Sequence, residues 1–278
     1  MTVTASDTEL ATRAIFGRVT TPQETRRRLP AFAEVGLGLG QIVEGELPGT
    51  VEVLPTMWAS GSRQPMISIA ATWVDTQLGM LAIQALEPRL VVTLELDVHL
   101  FDGIDGATSL RTAARIARAG SSVVVARMDI TTAAGARVGF GHGTFMAAPD
   151  PTKTMPSIAK ALARYQAGQA PLDEPFARRV GCERTAPGEA VMPVAPYVVN
   201  GTKAIQGGLL TATVEEAARS ADPGNRPLAH MHVRYLRPVR VGPAVARAAV
   251  HGGIGEVDVH DSGTGALALI GTTHAATS

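Results

Sequence analysis

The sequence predicts an α+β fold built from two similar units, each a long central helix wrapped by an antiparallel sheet. Three observations predict it. Met66–Leu86 is a long, apolar, proline-free run rich in Ala, Leu and Met, too long for a strand and suited to a mostly buried helix. Leu90–Leu100 and Leu228–Leu236 each alternate polar and apolar residues, the period of a half-buried strand. The order strand, loop, helix, strands occurs twice, on either side of a proline-bearing segment. A helix lying in a curled sheet lets both elements bury their apolar faces.

The elements follow in chain order. Residues 1–30 are polar, carry Arg26-Arg27-Arg28 and read as a lead-in with a solvated basic face. The first repeat spans 31–149. It holds a strand at Thr50–Trp58, the helix at Met66–Leu86, and strands at Leu90–Leu100, Leu110–Ala119, Ser121–Thr131 and Val138–Met146. In the first of these strands after the helix, Thr93, Glu95, Asp97 and His99 share the polar face. Residues 150–177 form a linker with a helix at Ser157–Gln166, its prolines marking the boundary between units. The second repeat, 178–278, holds a strand at Glu189–Val199, a loop at Asn200–Gly208 and a helix at Leu209–Ser220. Strands at Leu228–Leu236, Ala244–His251, Glu256–His260 and Ala266–His274 complete it.

Composition narrows the function. The chain has 278 residues, 45% of them hydrophobic, which suffices for a substantial core. Its formal net charge is zero and only 4% of residues are aromatic, against the basic footprint of a nucleic-acid binder or an anionic-membrane ligand. The single cysteine, Cys182, cannot form a disulfide within the chain and reads as a bland thiol. The N-terminus lacks the charge and apolar pattern of a signal peptide, and no apolar run is long enough to span a bilayer. A cytoplasmic protein without cofactor is the expectation. His230 and His232 alternate on one strand without an evident third ligand, so no metal is expected.

The chemistry concentrates in Val199–Ala218, VNGTKAIQGGLLTATVEEAA. Asn200 is followed six residues on by Gln206-Gly207-Gly208, and nine residues after Gln206 comes Glu215. This segment, with Met231–Pro243 (MHVRYLRPVRVGP), resembles the hotdog-fold thioesterases of the phenylacetyl-CoA thioesterase type. Their pattern is Asn, then His-Gly-Gly, then a carboxylate on the helix. The resemblance covers most of 178–278. In the first half, Ile69–Ala82 is similar to the helix, with Asp75 at the carboxylate position, and Gly120–Ala147 is similar to the closing strands. The loop departs: Ser60 stands for Asn, and Met66-Ile67-Ser68 for His-Gly-Gly.

The resemblance implies a double hotdog, an acyl-CoA or other acyl thioester as substrate, and hydrolysis as the reaction. A homo-oligomer of the fused chain is compatible with it. It also implies that each loop works with the carboxylate of the other repeat. Geometry agrees, since Gly207 and Glu215 stand roughly 12 Å apart along one helix and cannot both touch one carbonyl. The expected site is therefore Asp75 as base or nucleophile with Asn200, Gln206 and Gly207, and Gly208 against the substrate. The reciprocal set, Glu215 with Ser60, Met66 and Ile67, is expected to be degenerate, and Glu215-Glu216 to be a solvated pair. Gln206 in place of His can donate a hydrogen bond but cannot carry a proton. Two other readings stay open: a hotdog enoyl-CoA hydratase or dehydratase, and a non-catalytic acyl-binding protein.

Overall fold

The computed structural model describes residues 30–101 and 104–277; the lead-in up to residue 29, with its arginine run, lies outside them. Twelve strands form one antiparallel sheet among these residues. They are β1 (Leu37–Leu39), β2 (Glu46–Glu52), β3 (Val91–Leu100), β4 (Ser109–Ala119), β5 (Val123–Thr132), β6 (Arg137–Ala147), β7 (Glu183–Ala186), β8 (Glu189–Met192), β9 (Leu228–Tyr235), β10 (Ala244–His251), β11 (Ile254–Asp261) and β12 (Ala266–Ala275). The spatial order is β1-β2-β4-β5-β6-β3-β9-β12-β11-β10-β8-β7. The helices are α1 (Ile67–Leu86), α2 (Ile158–Ala167), α3 (Phe176–Arg179) and α4 (Gly207–Ala221).

The two repeats meet where β3 pairs with β9, Asp97 opposite His232 and His99 opposite His230. On the inner face α1 and α4 pack together across this seam. The fold is thus a double hotdog, with both helices at the centre of one continuous sheet. α1 is buried on nearly every side because α4 covers one flank and the sheet the rest. Its polar side chains are tied down: Trp73 Nε1 donates to Val35 O at 2.7 Å and Gln77 Nε2 to Leu47 O at 2.7 Å. A Cβ at Gly141 of β6 would lie 2.3 Å from Val74, so glycine lets the sheet approach the helix there.

Several boundaries differ from the expected ones, for local reasons. The strand expected at Thr50–Trp58 is instead Glu46–Glu52, and Pro55 opens a 3-10 turn at Pro55–Met57. The strand expected at Glu189–Val199 stops at Met192, because Pro193 and Pro196 cannot donate to a ladder. α4 begins two residues earlier than expected, since the Gln206 side chain caps it by accepting from Leu209 N at 2.8 Å. The short edge strands β1 and β7 were not expected at all.

The segment between the repeats is packed onto the first repeat. Tyr165 Oη donates to Leu37 O at 2.8 Å, Thr56 Oγ1 to Leu172 O at 2.8 Å, and Phe176 is fully buried. Arg179 grips Glu34 with Nε to Oε2 at 2.6 Å and Nη2 to Oε1 at 2.8 Å. This clasp joins the start of the first repeat to the start of the second.

Candidate active site

Two carboxylates on the helices face each other's N-termini. Asp75 of α1 accepts from Gly208 N at 2.9 Å and from Gln206 Nε2, both through Oδ2. Glu215 of α4 accepts from Ser68 N at 2.9 Å and Ser68 Oγ at 2.6 Å, both through Oε2. The spacing from amide to carboxylate is the same in both helices, Ser68 to Asp75 and Gly208 to Glu215. Each carboxylate neutralises the positive end of the other helix, where N–H groups have no intrahelical acceptor.

The two ends differ in what remains open. In the first turn of α4, Gly208 N serves Asp75, Leu209 N serves the Gln206 side chain, and Leu210 N serves Gln206 O. The Gly207 N–H is the donor that none of these groups takes up, and Gly207 is half-exposed. A Cβ there would lie 3.1 Å from Asp75 Oδ2 and 3.4 Å from the Tyr235 ring, so glycine leaves the space through which a carbonyl could approach. At the other end Met66 and Ile67 are 4% and 0% exposed and fill the equivalent space.

Asp75 is 6% exposed, and burial raises its pKa above 3.8 against the lowering effect of its Thr93 and Gly208 hydrogen bonds. Thr93 Oγ1 donates to Asp75 Oδ1 at 2.8 Å. This contact corrects the expected strand alternation. The register of β3 against β6 shifts between Thr93 and Glu95, and the bulge turns Thr93 inward while Glu95, Asp97 and His99 stay on the outer face. Tyr235, half-buried at the end of β9, donates from Oη to Gly207 O at 2.8 Å. Burial, and then the nearby Asp75 charge, push its hydroxyl well above its usual pKa. Thr93 and Tyr235 were missed from sequence, where both read as ordinary strand residues.

The structure therefore brings Asp75, Gln206, Gly207 and Gly208 together and adds Thr93 and Tyr235. The Asn200 side chain turns to its own loop instead. It is exposed, and its Oδ1 accepts from Thr202 N at 2.9 Å and Thr202 Oγ1 at 2.7 Å, an Asx turn that shapes the loop.

The expectation of a solvated Glu215-Glu216 pair is overturned. Glu215 is 0% and Glu216 9% exposed, because α4 is covered by α1 and by the sheet. Glu216 is held by Arg184 Nε at 2.6 Å. Burial is the largest influence on Glu215 and raises its pKa; its Oε1 has no hydrogen-bond partner. Ser60, assigned to the same set, is exposed, and its carbonyl accepts from Arg219; Ser68 is the residue that meets Glu215. Cys182 is buried, which pushes its thiol far above the usual range.

Gly208 is fixed by packing as well as by chemistry. A Cβ there would lie 2.6 Å from the Thr72 Cα of α1. Gly208→Ala is expected to destabilise the fold by about 1–3 kcal/mol through this backbone clash. Gly207→Ala has no backbone in its way and meets only the Asp75 and Tyr235 side chains, so in urea it should cost less stability than Gly208→Ala.

No family model matches the chain, and no curated protein matches it by sequence. Solved structures do match. A 12:0-ACP thioesterase from Umbellularia californica superposes with TM-score 0.58 at 12% identity, covering 84% of this chain and 98% of that one. The tesB protein of Mycobacterium avium subsp. paratuberculosis gives 0.55 at 13%, covering 89% and 98%. An acyl-ACP thioesterase from Bacteroides thetaiotaomicron gives 0.54 at 9%, covering 83% and 97%. The chain is thus similar over most of its length to enzymes built on the same fold.

Proposed function

We propose that this protein hydrolyses an acyl thioester, carried on coenzyme A or on an acyl-carrier protein, at one composite site between its repeats. The observation that carries the reading is Asp75 of the first repeat, held against the glycine-lined N-terminus of α4 in the second. The thioester carbonyl oxygen takes the Gly207 N–H, with the α4 dipole behind it. Asp75, as carboxylate, removes a proton from a water that attacks the carbonyl carbon. The C–S bond then breaks, the thiolate leaves with a proton, and the acyl group departs as a carboxylic acid. Gln206 and Thr93 fix the carboxylate, and Tyr235 fixes the Gly207 peptide. The similar structures are named as acyl-ACP thioesterases in two cases, which supports an acyl thioester as the substrate class.

Hydration of an enoyl thioester calls for an imidazole beside the carboxylate. Here Gln206 occupies that place, and His99, His230 and His232 cluster with Asp97 and Glu95 on the outer face of the sheet. The arrangement favours hydrolysis. The test is thiol release from a series of acyl-CoA chain lengths by the purified chain. Release above the uncatalysed rate is expected for at least one length. Binding of a non-hydrolysable analogue with no release would replace the reading with an acyl-binding protein.

Because Asp75 acts as its carboxylate and burial raises its pKa, kcat/KM should rise with pH along an acid limb whose inflection lies above 3.8. A profile flat down to that pH would remove Asp75 from the role of base.

A further inference from the structure

The outer face of the sheet carries a row of imidazoles across the seam between the repeats. Cross-strand pairing places Phe140, His99, His230 and His274 side by side on β6, β3, β9 and β12. The neighbouring row runs His142, Asp97, His232. Sequence offered His230 and His232 as a pair without a third ligand. In the structure His232 turns to Glu95, while His230 meets Asp97 and stacks on His99.

We propose that Asp97, His99 and His230 form a binding site for a divalent transition-metal ion of the zinc class, joining β3 of the first repeat to β9 of the second. Their ligating atoms all lie within 4.8 Å of one another. His230 Nε2 is 2.8 Å and His99 Nε2 is 3.2 Å from the same oxygen, Asp97 Oδ1. Metal–ligand bonds of about 2.0–2.2 Å in a tetrahedron put neighbouring ligand atoms roughly 3.3 Å apart, so a turn of the imidazoles about their side-chain bonds would bring this cluster to a coordination shell.

The rings are packed together on the surface of the sheet. His99 stacks between Phe140, at 4.4 Å, and His230, at 4.2 Å, and His274 packs edge-on against His230 at 4.8 Å. Rings stacked face to face cannot both hold one ion in their planes, so ligation turns His99 or His230 out of this stack. His142 Nδ1 is 3.9 Å from the other carboxylate oxygen, Asp97 Oδ2, outside the three-residue cluster, so the fourth position is left to water. Two imidazoles and one carboxylate suit zinc, cobalt or nickel rather than magnesium or calcium, which prefer all-oxygen shells. The cluster lies on the face of the sheet opposite Asp75, so the ion's role is to pin the seam rather than to take part in thioester chemistry.

The test is calorimetric titration of the untagged, chelator-treated full chain with zinc chloride, repeated with magnesium chloride and followed by thermal unfolding. One zinc per chain is expected, with no heat from magnesium and a higher Tm with zinc. The His99→Ala/His230→Ala double variant should bind zinc at least tenfold more weakly and lose the Tm increase. Asp97→Asn, which preserves shape, should weaken zinc binding as well and guards against a folding defect in the double variant. Unchanged zinc affinity in both variants, or no zinc binding by the parent chain at 0.1 mM, on the order of a weak surface site, would overturn the proposal.

Discussion

Asp75→Asn is expected to lower thioester turnover by about a hundredfold or more while leaving the fold intact. Asparagine matches the shape of aspartate, and its carbonyl oxygen can accept from Gly208 N and Gln206 Nε2 as the carboxylate does. Its amide can donate to Thr93 Oγ1, which accepts as readily as it donates. Every contact thus has a counterpart, and only the ability to take a proton is lost.

Stability should move the other way. Burial raises the native pKa of Asp75, so the folded chain holds that proton more tightly than the unfolded chain. The stabilisation is full below the unfolded value near 3.8 and is lost as pH rises through the raised native value. Above that raised value the buried charge is a cost, which the neutral amide removes. Thermal unfolding at neutral pH should show Asp75→Asn at least as stable as the parent, the pattern of a site in which function opposes stability. Equal turnover in the two proteins, or collapse of the variant's fold, would show that Asp75 is a structural residue.

The largest expected loss of stability comes from the clasp between the repeats. Glu34 is 0% and Arg179 5% exposed, and two hydrogen bonds join them. Glu34→Ala takes the carboxylate from a buried guanidinium and should cost about 3 kcal/mol. A chain of this size should then lose roughly 6–10 °C in Tm. Glu34→Gln, which keeps an acceptor, should lose less. Equal melting of all three proteins by calorimetry would show that the pair contributes nothing net.

The parts of the architecture legible in sequence were those with strong periodicity or strong conflict. Leu94–Leu100 alternates because one face of β3 meets α1 and the other meets water. Asp75 stood out because a carboxylate in an apolar helix needs partners. What escaped depended on contacts between distant segments. Thr93 reaches the site through a bulge that the alternation conceals. Tyr235 acts through its hydroxyl at the end of a strand whose apolar positions look like core. Glu215 was misread because a neighbouring glutamate suggests a wet surface, yet Ser68 and Arg184 come from far along the chain to hold the two carboxylates. Asn200 matched a spacing, and its turn geometry gives it a local structural role in the loop.

The asymmetry between the two helix ends is the centre of the account. Gly207 leaves an approach to the α4 end, whereas Met66 and Ile67 fill the approach to the α1 end. Both ends have a carboxylate, so the carboxylates alone do not distinguish one working site from two. Titration calorimetry of the full chain with a non-hydrolysable acyl-CoA analogue tests this most directly. The account predicts one analogue bound per chain, with affinity lowered by Gly207→Ala and unaffected by Glu215→Gln. Two equivalent analogues per chain, or binding that follows Glu215 rather than Gly207, would contradict it.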